Sequence, residues 1–294
     1  MQSGRVDAMI DRFFPYKRAA EAPYQSFAWM AASLIAVLYA IPMTGLFLSS
    51  FGIPGSPGVS AYTDMLASSA VRNVIWITFK VSIVTTVISV VIGYIIALAI
   101  IHSKGGAKSF LLALVIIPFW LSALVRALAW LILLRNNGLV NETLLSLGLV
   151  SEPLKLARNQ LGVLIAMVHF CVPFAVFPIL GAINALDSRH LMAAKSLGAT
   201  QFHAWKDVHF PLTLPSVISA SFLVFVLCLG FFVTPAIIGG GRVVMVSEYV
   251  SLSVLVTLRW TAAAALSVAI LLATICFMGL VGRLVGFRRL MEGD

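Results

Sequence analysis

The sequence predicts an all-α integral membrane protein with six transmembrane helices, and three observations carry that expectation. Of its 294 residues, 61% are hydrophobic and only 11% are charged, whereas soluble domains carry about a quarter charged residues. The apolar residues fall in continuous runs, not alternating ones, and hydrocarbon offers no partner to the backbone of an open strand. Six of these runs reach the roughly 20 residues that a helix rising about 1.5 Å per residue needs to cross a core of about 30 Å. With a mean hydropathy of +1.03, the chain has more apolar surface than a soluble fold can hide.

Taken in order, residues 1–26 are polar and charged with breakers at Pro15 and Pro23, and read as a tail or short surface helix. The first expected span is Phe27 to Leu48, too long for the apolar core of a cleavable signal peptide, so it is expected to stay in the membrane. A first external loop follows, up to residue 71, with turns signalled by Gly52-Ile53-Pro54-Gly55-Ser56-Pro57-Gly58. The expected core, residues 72–285, holds spans at Val81 to Ile101, Phe110 to Leu134, Leu161 to Ile183, Ser216 to Ile238 and Ala262 to Leu284, and residues 286–294 form a second tail. Between the third and fourth spans, Asn136-Asn137-Gly138 marks a turn and Val140 to Val150 a short interfacial helix.

An even number of crossings puts both ends of the chain on one side. Of the 20 Lys and Arg residues, 12 then fall on the tail side, 7 on the other, and Arg126 in the membrane. That bias places both tails in the cytoplasm. It also explains the net charge of +9 by topology and excludes nucleic-acid binding, because the basic residues stand in ones and twos beside span ends.

Little in the chain points to catalysis. The nearest string to a phosphate-binding loop, Gly105-Gly106-Ala107-Lys108-Ser109, lacks the first glycine at the required distance, so no ATPase site of its own is expected. The five histidines show no metal-ligand spacing, and the three cysteines, Cys171, Cys228 and Cys276, read as buried packing thiols. No cofactor, metal or catalytic residue is expected. No carboxylate sits at a span centre, which argues against an ion-coupled secondary transporter, the alternative reading, as does the lack of an internal repeat. His169 reads as a hydrogen-bonded structural group or a pathway group. Arg126 either snorkels to the external interface or faces protein or water.

The most patterned connection runs from Asn184 to Pro215. Asp187 or Ser188 can cap a helix over Arg189 to Leu197, and Gly198 stands where a C′ residue belongs. Thr200 can cap a second helix, Gln201 to Phe210, which Pro211 is expected to end.

Within this loop, Met192-Ala193-Ala194-Lys195-Ser196-Leu197-Gly198-Ala199, followed by Val208-His209-Phe210-Pro211-Leu212-Thr213-Leu214-Pro215, resembles the "EAA" loop of bacterial ABC importer permeases. Met192 occupies the position of the family glutamate. The stretches Pro118 to Trp130, with Asn137-Gly138 after it, and Gly230 to Gly240 look like those of spermidine/putrescine-type permeases, although Phe231 stands where polyamine-type members often carry an acid. The resemblance favours a built-in role for Arg126 over snorkelling. It implies a type I permease fold in the bacterial inner membrane that forms half of a path for a polyamine-like or related organic solute. The implied partners are a second permease subunit, two cytosolic ATP-binding subunits, an extracytoplasmic solute-binding protein and membrane lipid. Met192, Ala193, Ala194, Gly198, Ala199, Pro211 and Pro215 are the implied ATPase-coupling residues of the loop 187–211. Trp120, Arg126, Trp130, Thr234 and Pro235 are candidates for the translocation path.

Overall fold

The computed structural model describes residues 16–284 except 54 and 56, so the tail expected at 286–294 and most of that expected at 1–26 lie outside the described residues. The described residues are helical and contain no strand. Helix α1, Tyr16–Ser50, contains the first span, Phe27–Ser50. Its main packing partner is its far neighbour in sequence, the last helix; Ser50 Oγ at its end accepts the Tyr62 hydroxyl at 2.7 Å, and Trp29, Leu34, Leu38 and Tyr39 are left exposed.

A short helix α2, Ser60–Ala67, precedes α3, Ser69–His102. Helix α3 begins well before the expected Val81, so Arg72 and Lys80 ride on its early turns and not in a loop. Its buried face alternates aliphatic and hydroxyl residues, Val74, Thr78, Val81, Ser82, Thr85 and Ser89. Thr78 and Thr86 return their hydroxyls to the carbonyls of Val74 and Ser82, each at 2.7 Å. Without a hydrophobic drive between helices in lipid, such small residues let backbones approach and gain contact. At Gly93 a Cβ atom would stand 2.8 Å from the Cβ of Ala175; only glycine permits that approach.

The expected third span is two helices, α4, Gly106–Trp120, and α5, Ala123–Leu133, bent by 106°. Pro118 removes a hydrogen bond from the last turn of α4, and Leu121 and Ser122 are extended, with ψ of 133° and 141°. Hydropathy sums composition and is blind to such a change of direction. Helix α6, Leu139–Ser146, is the expected interfacial helix in shortened form. Its fully buried Asn141 donates to the carbonyls of Arg135 and Leu154 and accepts from the Leu154 N–H, closing the long connection upon itself.

Helix α7, Gln160–Ala185, matches the expected fourth span closely despite Pro173 and Pro178. It is followed by α8, Ser188–Ser196, and α9, Gln201–Ala204. A π-helical turn, Trp205–His209, runs without a break into α10, Phe210–Leu229. Pro211 therefore does not end the second short helix. It sits in the first turn of α10, where the π turn, closed by the Phe210 N–H to the Trp205 carbonyl, takes up the space its ring requires. The fifth span also starts and ends earlier than expected. It stops at Gly230, and the residues up to Ile238 form a separate helix α11, Val233–Ile238.

After α12, Val246–Leu255, the chain crosses last in α13, Trp260–Leu284. Among the described residues, five helices are long and apolar enough to span a membrane, and the bent pair α4–α5 makes up to six. Helices α3, α7 and α10 pack pairwise as the centre of the bundle, with α5 and α11 laid together at its side. Cys171 and Cys228 are fully buried between α7 and α10 with their sulfurs 3.5 Å apart. Cys276 departs from the expectation: it is exposed on α13.

Candidate functional site

Two regions gather the residues singled out by the sequence. The first is the loop between α7 and α10. The Asp187 carboxylate accepts the Arg189 N–H at 2.9 Å and caps α8. At the other end, Gly198 has φ of +86°. Its N–H donates to the Lys195 carbonyl at 2.9 Å, and the Ala199 N–H reaches the Ala194 carbonyl at 3.1 Å. This pair of hydrogen bonds is a Schellman motif, which satisfies carbonyls left free by the end of a helix. No atom lies within 4 Å of a Cβ built at Gly198, so backbone conformation and not space requires the glycine. The Thr200 hydroxyl oxygen then accepts the His203 N–H and caps α9.

The turn presents Met192, Leu197 and Phe202 outward, at 56%, 90% and 62% exposure. Ala193 is exposed beside Met192, whereas Ala194 and Ala199 are half-buried. An apolar ridge of this kind is unusual on a short polar connection, where side chains gain nothing from facing water. The loop is also firmly seated. Tyr94 of α3 contacts His209 Nδ1 at 3.3 Å and Thr213 Oγ1 at 3.2 Å through its hydroxyl. Its ring meets Trp205 and Phe210 edge to face, with centroids 6.3 and 5.8 Å away. Fully buried Ala204 completes the seat. Pro211 is exposed and Pro215 lies half-buried inside α10. Motif reading missed Tyr94, because a tyrosine inside a span carries no loop signature.

The second region lies where α5 and α11 meet α7. The Arg126 guanidinium stands 4.2 Å from the centroid of Phe170, an arrangement worth about 0.5 to 2 kcal/mol according to desolvation. Its Nε is buried without a hydrogen-bond partner. Trp130, one turn on, donates its indole N–H to His169 Nδ1 at 3.2 Å. Phe170 is clasped by Phe174 and Phe231, with centroids 5.6 and 4.5 Å away. The structure thus brings Arg126 and Trp130 together with His169 and Phe170. Thr234 and Pro235 are buried in α11, which packs on α5. Trp120 stands apart at the α4–α5 bend, 87% exposed, with Leu121, Leu124, Val125 and Leu128 exposed beside it.

An all-helical bundle with bent and interrupted spans and one capped, seated loop between two of them can be set against known proteins. Residues 89–289 match the family described as the inner membrane component of binding-protein-dependent transport systems. The chain belongs to that family. The spermidine/putrescine transport system permease protein PotB of Haemophilus influenzae is 31% identical over 222 residues, covering 75% of this chain and 77% of that protein. Its Escherichia coli K12 counterpart is 29% identical over 193 residues, covering 66% of this chain and 70% of that one. Among solved structures, a chain of a bacterial alginate ABC transporter, crystallised with an alginate pentasaccharide-bound periplasmic protein, superposes with a TM-score of 0.76 at 16% identity. That match covers 91% of this chain and 97% of the other, and it shows a shared fold. This permease is therefore a type I ABC importer permease, a multi-pass protein of the bacterial inner membrane.

Proposed function

We propose that this permease forms half of the translocation path for a polyamine-like or related organic solute, and that the loop 187–211 couples it to two cytosolic ATP-binding subunits. The observation that carries the reading is the loop itself. A Schellman turn at Gly198 sets two capped helices at a fixed angle, and an exposed apolar ridge of Met192, Leu197 and Phe202 awaits a partner. The π turn joins this ridge rigidly to α10, so a push on it is delivered to a membrane helix as a lever is moved. Both chain ends lie in the cytoplasm on the same side as the loop, in accord with the basic bias.

The second permease subunit covers the exposed surface around Trp120 and Leu124. Non-helical backbone at membrane depth, here Leu121 and Ser122, is stable only against protein or a water-filled cavity. Trp120, Arg126 and Trp130 border the path between the two subunits, and Thr234 and Pro235, buried in α11, support that wall from behind. An extracytoplasmic binding protein delivers the solute, and its presence in a relative's crystal structure supports this arrangement. The polyamine class rests on the PotB relatives.

The test is reconstitution in liposomes with the partner permease, ATPases and binding protein, following labelled spermidine. Uptake should require ATP and all components. Uptake by this chain alone, driven by an ion gradient, would establish the secondary-transporter alternative instead.

A further inference from the structure

Under the coupling loop lies a cavity of about 650 Å³ between α3, the end of α7, α8 and α9, a size suited to a small organic ligand. None of its lining residues belongs to the Arg126 region, and of the coupling ridge only Phe202 also lines it. What distinguishes the cavity is the sign of its polar lining. Neither lysine nor arginine lines it among the described residues. Its charged side chain is Asp187, and Asn184 and Gln201 add amides, whose oxygens can accept.

The histidines strengthen this bias. His102 Nδ1 lies 2.8 Å from the Leu98 carbonyl, and His190 Nδ1 lies 3.1 Å from the Asp187 carbonyl. A carbonyl can only accept, so each Nδ1 carries the proton, and in the neutral ring each Nε2 offers a lone pair. His209 lines the same cavity with its Nδ1 turned to Tyr94. Phe202 and Trp205 supply aromatic faces, the surface on which a desolvated ammonium is best held. Both Asp187 oxygens have partners, one of them exchangeable: one oxygen caps α8, and the other stands 3.8 Å from the Nε of Arg189, in an ion pair whose side chains are 86% and 51% exposed. Such an exposed pair is weak and yields readily.

We propose that this cavity is a binding site for a small aliphatic di- or polyamine cation, held by Asp187, the acceptor nitrogens of His102 and His190, and the Phe202 and Trp205 rings. An anion would meet acceptors and a carboxylate there, and a neutral apolar molecule would leave them unpaired. The assignment stands whichever solute the transporter carries, since the site lies under the coupling loop and not between the permease halves.

The experiment uses the full chain in lipid nanodiscs and a diazirine-tagged putrescine as the probe, with adducts located by peptide mass spectrometry. Labelling should fall on peptides from residues 184–212 and around His102. It should saturate, and unlabelled putrescine should compete with it while succinate, a dianion of similar length, does not. Asp187→Asn removes the charge but keeps a side chain that caps equally well. It should weaken labelling of these peptides about tenfold or more, the weight of one charge-assisted hydrogen bond. A second variant, Phe202→Leu, should weaken it without touching the cap. No adduct in these peptides, equal labelling of Asp187→Asn, or equal competition by succinate each overturns the proposal. Adducts confined to α5, α7 and α11 would report the translocation path and likewise count against it.

Discussion

Replacing Gly198 by valine isolates the backbone requirement of the loop proposed to couple to the ATPases, because no atom stands within 4 Å of the added Cβ. The φ of +86° costs a non-glycine residue about 1 to 2 kcal/mol, and a β-branched side chain sits at the upper end because its χ1 is already restricted. A penalty of that size lowers the population of the native turn by about 5- to 30-fold. The Ala199 to Ala194 and Gly198 to Lys195 bonds are lost together when the turn is abandoned, so the change behaves as a switch. In the reconstituted transporter, Gly198→Val should insert and assemble with its partner permease, yet lose most solute-stimulated ATP hydrolysis. Gly198→Asn, which tolerates the left-handed region better, should keep much more. Equal hydrolysis by the valine and asparagine variants, at the parental level, would refute the claim that this turn sets the coupling geometry.

Four further substitutions probe the seat of the loop, the path and the bundle. Arg126→Leu should reduce uptake about tenfold or more while leaving insertion intact, since a membrane-depth cation is retained only where it interacts; parental uptake would show that it contributes nothing there. Tyr94→Phe keeps the ring contacts to Trp205 and Phe210 but removes the hydroxyl from His209 and Thr213, and should lower hydrolysis severalfold by loosening the loop's seat, read as faster proteolysis at residues 197–205. Gly93→Val would force α3 from α7 at the Ala175 contact and should destabilise the bundle by about 1 to 3 kcal/mol, seen as a lower melting temperature in detergent. Asn141→Ala strands the Leu154 N–H and should cost a similar amount, about 1 to 3 kcal/mol, with new cleavage between residues 147 and 159.

The parts of this fold that are legible in the sequence are those whose cause is local. Continuous apolar runs locate α7 and α13 almost to the residue, and Asp187, Gly198 and Thr200 announce the caps and the turn because each acts on its own neighbours. What escapes is directional or tertiary. The bend at Leu121 depends on two extended residues inside an apolar run, and Pro211 misleads because a proline ends an α-helix but not a π turn that makes room for it. The meeting of Trp130 with His169, and of Cys171 with Cys228, joins residues distant in sequence. No spacing rule reaches such pairs.

The π turn at Trp205–His209 has a consequence for the direction in which the loop faces. A π turn holds one residue more than an α turn, and each residue more or fewer turns one side of the helix against the other by about 100°. Gaining or losing a single residue there would swing Met192, Leu197 and Phe202 around the axis of α10 while leaving every membrane-facing position of that helix in place. The direction of the ridge proposed to meet an ATPase and the direction of the lipid-facing residues of α10 are thus set by different segments of one continuous helix.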